Sequence, residues 1–295
     1  MILLTGASGA VGSALLRRLL AAGRPVRCLV RDPRELGAER VRVGLVLGDL
    51  ADPTSTRHAM RGVDCVVHLA AAIRDGPRAS IEELNALATV RLVRAAEHAS
   101  ISRFLFLSTL GVSQHARSRY LRSRALAEDA VARSPLETTI LAPSLVVAAR
   151  ARLMTLIERL AWLPAVPVYG RGDALWEPIA AADVADCAIA ALDEPAPGRF
   201  ELAGPDRVSY DELTAAVLRA RGRRRRRVHL PPAAVRAALA GLERTLGPSA
   251  PATRDEADLL EVSMTTERGT ADADRLRVRP QPLAHALVSS RSGPP

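Results

Sequence analysis

The sequence predicts a doubly wound α/β fold, a parallel sheet with helices on both faces, followed by a smaller C-terminal α+β lobe. Three observations predict it. Short apolar runs alternate with helical patterns through residues 1–145. The runs are continuously apolar, as in parallel strands buried on both faces, rather than alternating. A glycine-rich turn joins the first run to the first helical stretch, and the pattern loosens after Pro143.

In order, Ile2–Leu4 reads as a buried strand, Val11–Leu20 as a helix and Val26–Val30 as a second strand. Val41–Leu47 is a third strand, Ser55–Arg61 a helix and Cys65–Leu69 a fourth strand. A long helix over Ile81–His98, a strand at Phe104–Leu107, a helix over Arg117–Arg133 and a strand at Thr138–Leu141 complete the first unit. Right-handed crossovers between such strands give the doubly wound arrangement. Beyond it come a helix at Arg152–Ala161, a corner at Pro164–Pro167 and a helix at Ala182–Leu192. Ser209 with Glu212 three residues on is a capping box opening a helix through Arg219. Residues 146–295 form a second unit partly integrated with the first, with 168–192 a candidate for returning to the sheet. The polar, proline-ending terminus is expected to fray.

Composition bounds the function. With 295 residues, 48% apolar and 25% charged, the chain has ample material for a core and is not of the disordered class. No apolar run approaches the ~20 residues of a membrane helix. The opening Met1–Gly6 lacks the basic flank of a secretory leader. Cys28, Cys65 and Cys187 lie in apolar surroundings with no CxxC pair, so buried thiols and a cytoplasmic location are expected. The net charge of +9 resembles that of a nucleic-acid binder, yet all 41 basic residues are arginine and aromatics are only 3%. Arginine-rich codon bias and the lack of stacking residues argue against a nucleic-acid partner. With no lysine, lysine-nucleophile and Schiff-base chemistry are excluded. The six histidines show no metal-ligand spacing and no GxSxG is present, so no metal site or hydrolase is expected. The run Arg221–Arg227 reads as a solvated loop, and His68 as structural rather than a base.

The turn Thr5-Gly6-Ala7-Ser8-Gly9-Ala10-Val11-Gly12 has glycines at the spacing of a dinucleotide loop. Gly6 permits the tight turn, Gly9 lets backbone approach a pyrophosphate, and Gly12 lets the helix pack on the sheet. Ser8, Ala10 and Val11 would present amides at the positive helix end. After the second strand, Val30 stands where an acidic residue would select NAD(H), and Arg31 follows. Arg31 suits a ribose 2′-phosphate bidentately. The other reading pairs it with Asp32; NADP(H) is favoured over NAD(H).

With that loop, Arg31, Gly48-Asp49-Leu50, His68-Leu69-Ala70-Ala71, Ser108-Thr109 and Tyr120 in register, the chain resembles the short-chain dehydrogenase/reductase superfamily. It is most similar to atypical and extended NAD(P)-binding members, including those like the accessory subunit of respiratory complex I. Trp176–Ile179, Asp183–Ala185, Leu202–Pro205 and Thr253–Glu256 match later landmarks. The resemblance implies an NAD(P)-binding Rossmann core at 1–145 and a substrate lobe at 146–295. It implies that Asp49 and Leu50 contact adenine, that Leu69, Ala70 and Ala71 line the cofactor, and that Pro143 and Ser144 meet the nicotinamide.

The family's chemistry rests on Tyr-x-x-x-Lys with a nearby serine or threonine. Here Tyr120 and Arg124 occupy the pair, on one helix face. Tyr120 is expected as the acid or base, with a plain surface tyrosine as the alternative. Arg124 keeps the charge of the lysine but is planar and bulkier. Ser108 and Thr109 precede the usual polar slot, which falls on Leu110, and Ala142-Pro143 stands where relatives often carry Arg-Pro. Leu145–Val147, Met154, Trp162, Tyr169 and Trp176 are candidate pocket liners favouring an apolar or aromatic substrate, with the alternative for each that it is a core residue of the smaller lobe. The expected function is an NAD(P)H-dependent oxidoreductase acting on a carbonyl, enone or quinone-like small molecule. The alternatives are a catalytically weak NADP(H)-binding sensor or accessory protein, and a redox-neutral isomerase or dehydratase. A homodimer or a protein partner is compatible with either.

Overall fold

The computed structural model describes residues 1–76, 79–149 and 151–289; the terminus expected to fray, 290–295, lies outside them. The first half runs β1 (Ile2–Thr5), α1 (Ala10–Ala21), β2 (Val26–Val30), β3 (Gly44–Leu47), α2 (Pro53–Ala59) and β4 (Cys65–His68). It continues with α3 (Ala88–His98), β5 (Arg103–Leu107), α4 (Arg119–Ala132) and β6 (Glu137–Pro143). The second half brings β7 (Val146–Val147), α5 (Arg152–Leu160), β8 (Ala165–Tyr169), β9 (Leu175–Trp176), β10 (Ile179–Ala180) and α6 (Ala181–Asp193). Then follow β11 (Gly198–Leu202), β12 (Val208–Ser209), α7 (Tyr210–Ala220), β13 (Arg226–Leu230) and α8 (Pro232–Leu246). The short α9 (Arg254–Leu259), α10 (Ala271–Arg275) and α11 (Leu283–Ser289) close the described chain.

A seven-stranded sheet in the order β3-β2-β1-β4-β5-β6-β11 pairs in parallel throughout, as the continuous apolar runs require. One face is packed by α1 and α6, through Leu15, Leu16 and Leu19 against Val184, Ala188 and Ala191. Arg18 binds Asp186 with two donors, at 2.5 and 3.0 Å, and fastens the two helices. The other face carries Leu92, Ala96, Ala127 and Val131 from α3 and α4. The strand order reverses between β1 and β4, which places a ligand crevice at their carboxyl ends. A further cluster, drawn mostly from residues after Pro143, gathers around Trp176, Leu213, Val217 and Val168 and also takes in Leu110, Leu121 and Ala142.

Several elements depart from the sequence pattern. Val41 is 81% exposed and residues 33–42 form a 3-10 stretch interrupted at Gly37, so the third strand begins only at Gly44. The long helix starts with a π turn over Glu83–Leu87, where fully buried Asn85 turns inward. The expected corner at Pro164–Pro167 is β8, paired in parallel with β13; as a two-stranded edge ladder it tolerates Pro167 without its amide. The stretch 168–192 does not rejoin the sheet as a strand. It contributes α6 to the helical layer, and the returning strand is β11, whose Phe200 and Leu202 are buried while Gly198 at its start is exposed.

The arginine run is likewise not a bare loop. Arg221 caps the end of α7, and of the run only Arg226 and Arg227 enter β13. Arg221 pairs with Glu158 and Arg227 with Asp211, while Arg225 donates to the Ala161 carbonyl. Arg223 lies 3.6 Å over the Trp162 ring. Trp162 itself is 76% exposed and is not part of the cavity wall, contrary to the expectation for it.

Candidate active site

The glycine loop is shaped by backbone contact. Gly6 has φ +74, and a Cβ on it would stand 2.5 Å from the Ala70 nitrogen. A Cβ on Gly12 would stand 2.0 Å from the Gly6 carbonyl oxygen. The Gly9 amide bonds the same carbonyl at 3.0 Å and closes the turn. Gly9 caps α1 without a side-chain bond, and the first turn carries no acidic residue. The first amides of α1 are therefore left without a side-chain cap, with Ser8 and Gly9 exposed beside them. These features fit a dinucleotide's phosphates.

Around the loop stand the other expected cofactor residues. Arg31 is exposed just beyond β2, while Asp32 is bonded to Arg34 at 3.0 Å, so the reading that paired Arg31 with Asp32 does not hold. Asp49 accepts the Ala51 amide at 3.0 Å, and half-buried Leu50 packs on the cluster beneath α2. Leu69 is buried, Ala70 half-buried and Ala71 exposed. The segment after β4 is clamped by Asn85, which accepts the Ala72 amide at 3.0 Å and donates to the Ala72 carbonyl at 2.7 Å. Sequence reasoning missed Asn85, which stands among Leu84, Ala86 and Leu87 with no motif to mark it.

His68, fully buried between Thr5 and Thr89 at 2.7 and 2.9 Å, is structural. Burial, aided by the Arg124 charge, pulls its pKa down to about 3. The folded protein therefore holds it neutral, whereas the unfolded chain binds a proton below about 6.5. Stability is expected to fall between pH 6.5 and 3, at up to ~1.4 kcal/mol per pH unit from this group. Thermal melts across that window check it, with a shallower slope expected for His68→Asn.

The catalytic candidates converge at the ends of β5 and β6. Tyr120 is half-buried in the first turn of α4. Arg119 beside it binds Asp75, Glu82 and Asp255 at 3.0, 2.7 and 3.3 Å, fixing the start of that helix. It holds Asp75 and Glu82 below the usual carboxylate range. Arg124, one turn on, is 1% exposed. Its Nη2 donates to the Leu107 carbonyl and its guanidinium lies 4.5 Å over Phe106, while Nε and Nη1 are buried without a partner among the described residues. Burial lowers its pKa; Tyr120 and Glu128 oppose that. Two orphaned donors there fit a ligand hydroxyl, the role expected of the basic residue in this slot.

Ser108 donates to Glu128, which also accepts Arg199 at 2.6 Å. Glu128 went unassigned in the sequence, although it holds the serine hydroxyl. The Thr109 hydroxyl donates to the Pro143 carbonyl at 3.2 Å, and Leu110 is buried in the core. Ser144 donates to the Met264 carbonyl at 2.6 Å and accepts the Glu177 amide at 3.0 Å, so its hydroxyl is engaged within the protein.

Ser108, Thr109, Tyr120, Pro143 and Ser144 share the wall of one cavity of about 710 Å³. Of the expected liners, Leu145, Val146, Tyr169 and Trp176 face it, whereas Val147 and Met154 pack in the core. At its rim Glu256 joins Arg74 and Arg152, at 2.6 and 2.7 Å.

Residues 6–195 match the family model described as NAD(P)H-binding. The chain is 32% identical to a (4-alkanoyl-5-oxo-2,5-dihydrofuran-3-yl)methyl phosphate reductase of Streptomyces griseus subsp. griseus, over 76% of this chain and 74% of that one. It is 30% identical to NADH dehydrogenase [ubiquinone] 1 alpha subcomplex subunit 9, mitochondrial, of Arabidopsis thaliana, over 70% of this chain. It spans 54% of that relative's length, and about a third of some others. The fold superposes on the UDP-glucose 4-epimerase of Thermus thermophilus, solved with NAD, with a TM-score of 0.73 at 21% identity, covering 99% of both chains. No helix among the described residues is long and apolar enough to cross a membrane.

Proposed function

The chain belongs to the NAD(P)H-binding family of extended short-chain dehydrogenase/reductase-like proteins, and from that premise we propose that it reduces a carbonyl compound with NADPH. One observation carries the reading: Tyr120 lines an apolar cavity at the sheet edge that also carries the glycine loop, with the unpartnered Nε and Nη1 of Arg124 buried one helical turn behind it. The reductase identity of the Streptomyces relative supports it.

Bound nicotinamide supplies the hydride in this chemistry. The amides of the glycine loop would hold the pyrophosphate, and Arg31 the 2′-phosphate. Arg124 would satisfy its Nε and Nη1 on the ribose hydroxyls. The Tyr120 hydroxyl gives a proton to the carbonyl oxygen as the carbon takes the hydride, leaving the alcohol. The tyrosinate that remains regains its proton from solvent, which restores the donor. Thr109 stands on the same cavity wall as Tyr120. Oxidation of NADPH against a carbonyl panel tests the reading.

Cofactor choice has its own test. Arg31→Glu is expected to weaken NADPH binding by about ten- to a hundredfold, the range of one charge-assisted pair, while NADH binding changes little. Isothermal titration of both nucleotides measures the ratio.

The engagement of Ser108 with Glu128, together with Leu110 in the polar slot, favours a second reading, an NADP(H)-binding accessory protein. The plant relative is a subunit of a larger complex by name. Arg124→Lys separates the two: raised NADPH turnover supports the reductase, and tight binding without turnover on any carbonyl supports the accessory protein.

A further inference from the structure

We infer that the substrate carries a long unbranched alkyl chain, lying in the cavity beneath α8 with its carbonyl at Tyr120. This names the substrate class of the site proposed above and rests on that reading. The walls away from Tyr120 are aliphatic: Leu153, Leu156 and Leu160 from α5, Val235 and Leu239 from α8, and Leu260. Apart from the Tyr120 hydroxyl and the buried Tyr169 hydroxyl, which has no hydrogen-bond partner among the described residues, the polar groups of this cavity are mostly engaged. Trp176 donates its ring N–H to the Val262 carbonyl at 2.8 Å, Ser144 donates to Met264, and Arg152 pairs with Glu256. A sugar or other polyol would lose water on entry without replacing it, costing affinity roughly tenfold or more for each unpaired hydroxyl. That separates this site from the UDP-glucose enzyme of the same fold. Trp176 and Tyr210 pack on each other with ring centroids 5.5 Å apart, rather than as a slot for a flat ring.

The covering helix supports a chain rather than a compact group. Val235, Leu239, Leu242 and Leu246 follow one another at helical spacing along α8. The first two line the cavity; Leu242 and Leu246 are 37% and 48% exposed and carry the apolar stripe out to the surface. Leu239 is the buried member of that stripe. A tail longer than the cavity would leave along it.

A ketone series from butanone to tetradecan-2-one, assayed with NADPH and the full chain, tests this. The value of kcat/KM is expected to rise about fourfold per methylene until the cavity is filled. Ala238→Trp, which fills the cavity below α8, is expected to move the optimum toward shorter ketones. In parallel, tetradecan-2-one is expected to displace dansyl-undecanoic acid from the protein holding oxidised NADP. A flat series, or higher kcat/KM for a hydroxylated or aromatic ketone, would overturn the alkyl-chain inference and leave the reductase reading standing. Displacement of the probe with no turnover of any carbonyl would uphold the alkyl site and sink the reductase reading instead. If the probe is not bound, the alkyl site is overturned.

Discussion

Tyr120→Phe is expected to lower kcat for carbonyl reduction by ~10²- to 10⁴-fold, the usual worth of a positioned proton donor. The ring, half-buried at the start of α4, would keep its packing, and only the hydroxyl is removed. The amides of the glycine loop, Arg31 and Arg124 are untouched, so NADPH affinity should stay within about twofold. A fall in kcat with unchanged nucleotide affinity is the signature of a group acting in the transition state alone. Steady-state kinetics with nucleotide titration read both quantities. Unchanged turnover would remove the role given to Tyr120. Equal loss of binding and turnover would mean that the ring is structural.

Gly12→Ala is expected to weaken nucleotide binding by at least ~100-fold, about 2.7 kcal/mol. The new methyl would meet the Gly6 carbonyl oxygen at 2.0 Å, the Gly6 carbonyl carbon at 2.8 Å and the Ala7 Cα at 2.9 Å. All three are backbone atoms, so no side-chain rotation relieves the clash. Either α1 withdraws from the sheet or the loop reshapes, and both move the amides that face the phosphates. Gly23→Ala is the matched control at the other end of α1. Its φ is +66 with open space around it, so alanine there is strained but touches nothing. It should cost about 1 kcal/mol of stability and leave binding intact. Calorimetric titration and thermal melts of the two variants separate loss of the site from loss of the fold.

The acid sensitivity expected of His68 and the altered selectivity of Arg31→Glu are smaller effects. They probe the same edge of the sheet from inside and outside.

The sheet was legible because its signals are local. Val26–Val30 is mostly apolar over five consecutive residues and forms β2 with those bounds. The glycine spacing reads as a loop because a tight turn and a close helix approach each exclude Cβ, a constraint seen within eight residues. Ser209 and Glu212 form the capping box expected of their spacing. Arg221–Arg227 reads as simply solvated because a run of one residue type does not show which side chains meet partners elsewhere, such as Glu158, 63 residues from Arg221.

The active-site environment was legible only in part. Tyr120 and Arg124 stand one helical turn apart, so the sequence could pair them. It could not show that Glu128 takes the Ser108 hydroxyl, since Glu128 is also bound to Arg199, 71 residues away. Nor could it show that Ser144 is spent on Met264, 120 residues away, or that Arg74 reaches Glu256 across 182. Such pairs leave no periodicity in the chain.

What the amino-acid order determined by itself is the parallel sheet, the glycine turn and the Tyr-x-x-x-Arg pair, each a matter of neighbours within a few turns of helix. What only the tertiary structure decided is which polar groups remain unengaged and where the apolar cavity opens. Those depend on packing between segments far apart in the chain, where burial, rather than residue type, sets whether a hydroxyl or a guanidinium is free to meet a ligand.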